Sequence, residues 1–71
     1  MPRLYSSQKI AKTLQNSDFN FISQSGSHAK FRKIVSGKVL TVIVPMAKKE
    51  IPMGTFHSIL RQSGLKNEDF K

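Results

Sequence analysis

The chain has 71 residues, 38 % hydrophobic and 23 % charged, with twelve Lys and Arg against four Asp and Glu, a net charge of +8 and an isoelectric point near 10.4. A chain of this length removes only about 60 % of its unfolded surface from water, so one small globular domain over residues 1–71 is expected, with a shallow site in place of a deep pocket. The excess of cations favours a polyanionic partner, nucleic acid or an acidic protein, and the lack of cysteine excludes a disulfide framework and a thiolate metal site, as suits a reducing cytoplasm. From Met1 to Ser7 there is no apolar run long enough for a signal peptide, and no later stretch approaches the ~20 apolar residues of a membrane helix.

In chain order, Ser6 or Ser7 is the candidate N-cap of a first helix whose apolar stripe is Ile10, Ala11 and Leu14, with Leu4 as a possible extension. Lys9, Lys12 and Thr13 fall on its outer face, and Asn16-Ser17-Asp18 ends it. Phe19 to Gln24 reads as a strand with Phe19, Phe21 and Ser23 on one side and Asn20, Ile22 and Gln24 on the other. After the turn Ser25-Gly26-Ser27 a second strand runs from His28 to Val35. It sets Ala29, Phe31 and Val35 on one side, with Lys33 as the exception there, and His28, Lys30, Arg32 and Ile34 on the other. Ser36-Gly37-Lys38 turns the chain into Val39-Leu40-Thr41-Val42-Ile43-Val44, β-branched enough to be a better buried third strand that Pro45 stops.

Met46 to Ile51 reads as a connecting loop. Thr55 is the expected N-cap of a second helix with the stripe Phe56, Ile59 and Leu60, and His57, Ser58, Arg61 and Gln62 outward. Gly64 suits the left-handed position beyond its end, and Asn67 to Phe70 reads as a terminal turn anchored by Phe70. The order helix, three strands, helix implies an α+β, αβββα two-layer sandwich: a three-stranded antiparallel meander with both helices on one face and the other face open. Double-stranded RNA-binding domains share this architecture.

The open face would present His28, Lys30 and Arg32 together. Cutting RNA without a metal needs a base for the 2′-hydroxyl proton, a cation for the charge growing on phosphorus and help for the departing 5′-oxygen. Imidazole, with an ordinary pKa of about 6.5, suits the first task, and Lys30 or Arg32 on the same strand face suits the second, although on the residues alone His28 reads first as an ordinary exposed turn histidine, and Lys30 and Arg32 equally as plain polar residues of an open sheet face. Ser27, Lys30 and Arg32 are the candidate RNA contacts. His57 and the pair Lys48-Lys49 read as solvated positions, and the phenylalanines as core or end anchors in preference to base-stacking platforms. Asp18, Glu50, Glu68 and Asp69 are too scattered for paired carboxylates or a metal cage, no glycine-rich phosphate loop is present, and no cofactor is expected.

Three segments resemble the HicA-type toxins, also called YcfA-like proteins, of bacterial and archaeal toxin–antitoxin pairs. They are Gly26-Ser27-His28 with Phe31, the strand end Val42-Ile43-Val44-Pro45, and the run from Glu50-Ile51-Pro52-Met53-Gly54-Thr55 through Ser58-Ile59-Leu60-Arg61-Gln62 to Gly64-Leu65. The resemblance implies a double-stranded-RNA-binding-domain-like fold, an endoribonuclease acting on mRNA or other single-stranded RNA, inhibition by a HicB-type antitoxin, and catalysis by the histidine of the Gly-Ser-His turn, here His28. Many relatives have a second histidine where this chain has Ala29, and a further one near Met46-Ala47. The alternatives are a non-catalytic RNA-binding module of the same fold, which would keep RNA affinity and cut nothing, and an adaptor whose basic face meets an acidic protein.

Overall fold

The structure, a computed structural model, describes residues 4–71. Met1, Pro2 and Arg3, part of the opening segment read above for a signal peptide and of the domain expected over 1–71, lie outside the described residues. The elements follow the expected order: α1 (Ser7–Asn16), β1 (Asn20–Ser25), β2 (His28–Val35), β3 (Lys38–Pro45), α2 (Met53–Ser63) and a closing 3-10 helix, Asn67–Phe70. The strands form one antiparallel sheet in the order β1-β2-β3.

Ser6 is the N-cap of α1, its side chain accepting the Lys9 N–H at 3.1 Å. Ser7 and Thr13 both turn inward with Ile10 and Leu14, so Thr13 is buried and not on the outer face where periodicity put it. The helix closes in a Schellman motif. Asp18 adopts φ +72, its N–H reaches Gln15 O, and the Phe19 N–H reaches Leu14 O at 2.9 Å. That turn drops Phe19 into the core just before β1 begins at Asn20.

Between Phe21 and Ser23 the pairing of β1 with β2 shifts register. Strict alternation would have kept Phe21 and Ser23 on one face. With the irregularity, Phe21 stands opposite Phe31 but Ser23 stands opposite Lys30, so Ser23 joins the other face. Phe21, expected in the core, touches Phe31 edge-on at 5.8 Å between centroids yet is 50 % exposed.

Both hairpins use two-residue loops. Gly26 has φ +59 at the first central position, and Ser36 and Gly37 both have positive φ, the pattern of a type I′ turn. β3 is an edge strand: Val42 and Val44 are fully buried, while Val39 and Ile43 are exposed, so it is covered on one face only and not more deeply buried than its neighbour. Pro45 is its last paired residue, opposite His28. The outward Ile43 N–H on that edge is taken by Gln62 Oε1 of α2 at 3.2 Å.

Helix α2 starts three residues earlier than expected. Its N-cap is Pro52, without a side-chain bond, and not Thr55. A proline at this boundary has no N–H to lose and holds φ near the required value. Phe56 and Ile59 are buried, Leu60 is half-buried, and Gly64 ends the helix at φ +73. Phe70 packs edge-on against Phe56 at 5.2 Å, and Tyr5 leans on Phe56 and Phe70 at 5.3 and 6.2 Å. Ile51, read as loop, is fully buried. The core thus lies between the helices and the sheet face formed by Ala29, Phe31, Val42 and Val44.

Candidate nucleic-acid interface

The uncovered face of the sheet is built from β2 outward. His28 stands opposite Ser25 on β1 and Pro45 on β3; Lys30 opposite Ser23 and Ile43; Arg32 opposite Asn20 and Thr41; Ile34 opposite Val39. His28 is exposed, and Lys30 and Arg32 are half-buried. With a strand rise near 3.3 Å per residue, Lys30 lies about 7 Å and Arg32 about 13 Å along the backbone from His28. Arg32 is held close to the sheet: its Nε is shielded from solvent and has no hydrogen-bond partner.

Lys33, on the opposite face, places its ammonium 5.7 Å from the centre of the Phe19 ring, which explains a cation on the covered side. Ala29 is fully buried on that same side. Position 29 therefore does not share a face with His28, and in this fold the residue after the turn histidine is a packing position. His57 is exposed on the outer side of α2, in the helix layer, whereas His28 stands on the face the helices leave open. The two imidazoles do not converge.

Ser27 lies in the turn, and its carbonyl accepts the Met46 N–H at 2.6 Å. The end of β3 is in turn strapped to α1. The buried Ser7 hydroxyl donates to Pro45 O at 2.6 Å and accepts the Lys48 N–H at 3.1 Å, the Ser7 N–H donates to Lys48 O at 3.0 Å, and the Ile51 N–H donates to Tyr5 O at 2.7 Å. The segment 46–51 is thus a fixed connection. Through Met46 and Pro45 it braces Ser27 in the turn and His28 directly after it. Sequence reasoning assigned Ser7 a capping role and missed this one; the only local signal was its position, one turn before the buried Ile10.

Among the described residues no group of three or more His, Asp or Glu side chains is placed to hold a metal ion. No described helix is long and apolar enough to cross a membrane. The same face also carries apolar side chains in the open, with Ile34 72 % and Val39 56 % exposed beside Ile43.

A family model described as the HicA toxin of bacterial toxin–antitoxin systems matches residues 7–65, well over half of the chain. The chain belongs to the HicA toxin family. The match runs from the buried Ser7 through Leu65, so it takes in the whole sheet, the His28 turn, the strapped connection and α2. This HicA-family protein is therefore the toxin of a toxin–antitoxin system. No curated protein matches the chain.

Proposed function

We propose that this HicA-family toxin is an endoribonuclease that cuts mRNA or other single-stranded RNA without a metal, with His28 as its general base. The observation that carries the reading is the alignment of His28, Lys30 and Arg32 on the one sheet face the helices leave open. In the proposed reaction, neutral His28 takes the proton of a ribose 2′-hydroxyl. The 2′-oxygen attacks the adjacent phosphorus, the bond from phosphorus to the 5′-oxygen breaks, and the exposed site lets water protonate the departing oxygen. The products are a 2′,3′-cyclic phosphate and a 5′-hydroxyl.

Lys30, one residue pair from His28, is the better placed cation for the phosphate being cut, and Arg32 suits the neighbouring phosphate, with Ser27 lining the entry from the turn. A positioned base contributes about 10²–10⁴-fold to such a reaction. The partner that silences it is a HicB-type antitoxin. The apolar residues Ile34, Val39 and Ile43 beside the cations support this, because a protein that carries both apolar and acidic groups can cover such a surface.

The test is RNA cleavage by purified wild type and by His28→Ala, in EDTA, on an RNA and on its counterpart with a single 2′-deoxy residue at the cut. The reading requires cleavage by wild type alone, EDTA resistance, cyclic-phosphate ends and no cut at the deoxy position. Cleavage that survives in His28→Ala removes the base, and RNA binding without any cleavage by wild type leaves the binding-module reading in its place. Failure of the adjacent gene's product to bind the protein or to suppress growth arrest counts against the antitoxin pairing.

A further inference from the structure

A feature apart from the open sheet face lies where the N-terminal turn of α1, the strapped segment 46–49 and the C-terminal residues meet. Two open depressions occur there, of about 350 and about 670 Å³, and they share Ser6 and Lys49 in their walls. Among the described residues their linings together contain four lysines, Lys9, Lys48, Lys49 and Lys71, and no Asp or Glu side chain. The first depression is walled by Met46, whose N–H is bonded to Ser27 O, so the trough begins beside the turn that carries His28. The second includes Tyr5, whose ring is held by Phe56 and Phe70.

We propose that this trough is a second binding site for single-stranded RNA, which takes up the strand on one side of the cut by pairing its phosphates with the four lysines and stacking a base on Tyr5. The inference rests on the ribonuclease reading, since it assigns the trough to the same substrate.

Three observations favour RNA over an acidic protein. One wall residue of the trough, Met46, is bonded through its N–H to the Ser27 carbonyl, next in the chain to the proposed cutting residue His28. Its cations are spread along its length with a fixed aromatic among them, the combination that tracks a sugar-phosphate backbone while accepting bases of any sequence. Among the described residues the large exposed apolar side chains, Phe21, Ile22, Ile34, Val35, Val39 and Ile43, all lie on the sheet, while the large apolar residues in the trough walls, Leu4, Met46 and Phe70, are half-buried or buried. A protein partner finds its apolar anchors there, on the strands. Lys48 and Lys49, which the sequence suggests are solvated, thereby join Lys9 from a distant element.

The experiment uses His28→Ala protein, so that binding is read without cleavage, and fluorescent single-stranded RNAs of four and twelve nucleotides. Lys9, Lys48, Lys49 and Lys71 are changed together to Gln, and a charge-matched control changes Lys12, Lys38, Arg61 and Lys66 to Gln. Circular dichroism and thermal unfolding establish that both remain folded. The trough variant is expected to bind the twelve-nucleotide RNA at least tenfold more weakly and the four-nucleotide RNA less than threefold more weakly. Its log–log salt slope should fall by roughly 0.7 for each phosphate that the protein no longer neutralises. The control should lose less than threefold on both.

Equal losses in trough variant and control, equal losses on short and long RNA, or an unchanged salt slope each overturn the proposal. So does binding of a twelve-residue oligoglutamate as tightly as the RNA, which would make the trough a general anion surface. Cleavage by wild type is scored separately. If wild type cuts no RNA, the ribonuclease reading fails while the length-dependent binding still decides whether the trough holds RNA.

Discussion

Consecutive residues of β2 serve opposite purposes. Ala29 and Phe31 are sealed beneath the helices, while His28, Lys30 and Arg32, interleaved with them, stand on the face that no helix covers. The difference is one of neighbours, since all five share a strand and a backbone conformation. A period of two lets one segment supply half the sheet's contribution to the core together with the candidate base and both cations of the open face. It also means that stability and activity are carried by alternate residues and can be separated by substitution.

The largest effects should fall on opposite sides of that division. Phe31→Ala is expected to lower stability by about 3–5 kcal/mol, measured by urea unfolding, because a fully enclosed aromatic leaves a cavity. His28→Ala should leave the unfolding midpoint within error and lower the cleavage rate about 10²–10⁴-fold. A His28→Ala protein that unfolds early, or a Phe31→Ala protein of unchanged stability, would break the comparison.

Ser7→Ala probes a residue that spans the two roles. It strips partners from the Pro45 carbonyl and the Lys48 N–H, both in part-buried hydrogen bonds, so about 1 kcal/mol of stability should disappear. Because those groups brace the turn, kcat should fall more than KM at a temperature where the variant is fully folded. A variant that is less stable with kcat intact would make the strap purely structural.

Lys30→Ala and Arg32→Ala should each reduce the log–log salt slope of single-stranded RNA binding by roughly 0.7. Lys30→Ala should also slow cleavage more than Arg32→Ala, since Lys30 is the nearer to His28. Equal rates for the two would remove the assignment of separate phosphates. The smallest effect is expected at Asp18, a non-glycine residue at φ +72: Asp18→Gly should raise stability by about 0.5–1 kcal/mol with cleavage unchanged.

Much of the fold was legible because its signals are local. The stripe Ile10, Leu14 and the stripe Phe56, Ile59 repeat at the helical period, β2 alternates from His28 to Arg32, and Gly26, Gly37 and Gly64 all adopt the positive φ that turns and helix ends require. The candidate site was legible to the same extent, as three side chains on one face of β2. What local pattern misplaced were Thr13, Ser23, the burial of Phe21 and of β3, and the start of α2. Thr13 was pulled inward by helix packing, Ser23 was moved by a register shift that needs the partner strand, and α2 began at a proline that needs no hydroxyl cap.

The sequence by itself therefore determined the alternation that puts His28, Lys30 and Arg32 on a common face and the turns that bound their strand, since both follow from the geometry of a few neighbouring residues. The tertiary structure leaves this face open, as the two amphipathic stripes implied. It alone decided that Ser7 reaches 38 residues along the chain to Pro45, and that lysines from the start, middle and end of the chain line one trough. Those outcomes depend on the docking of helices against one side of the sheet, a long-range arrangement with no periodic trace in the chain.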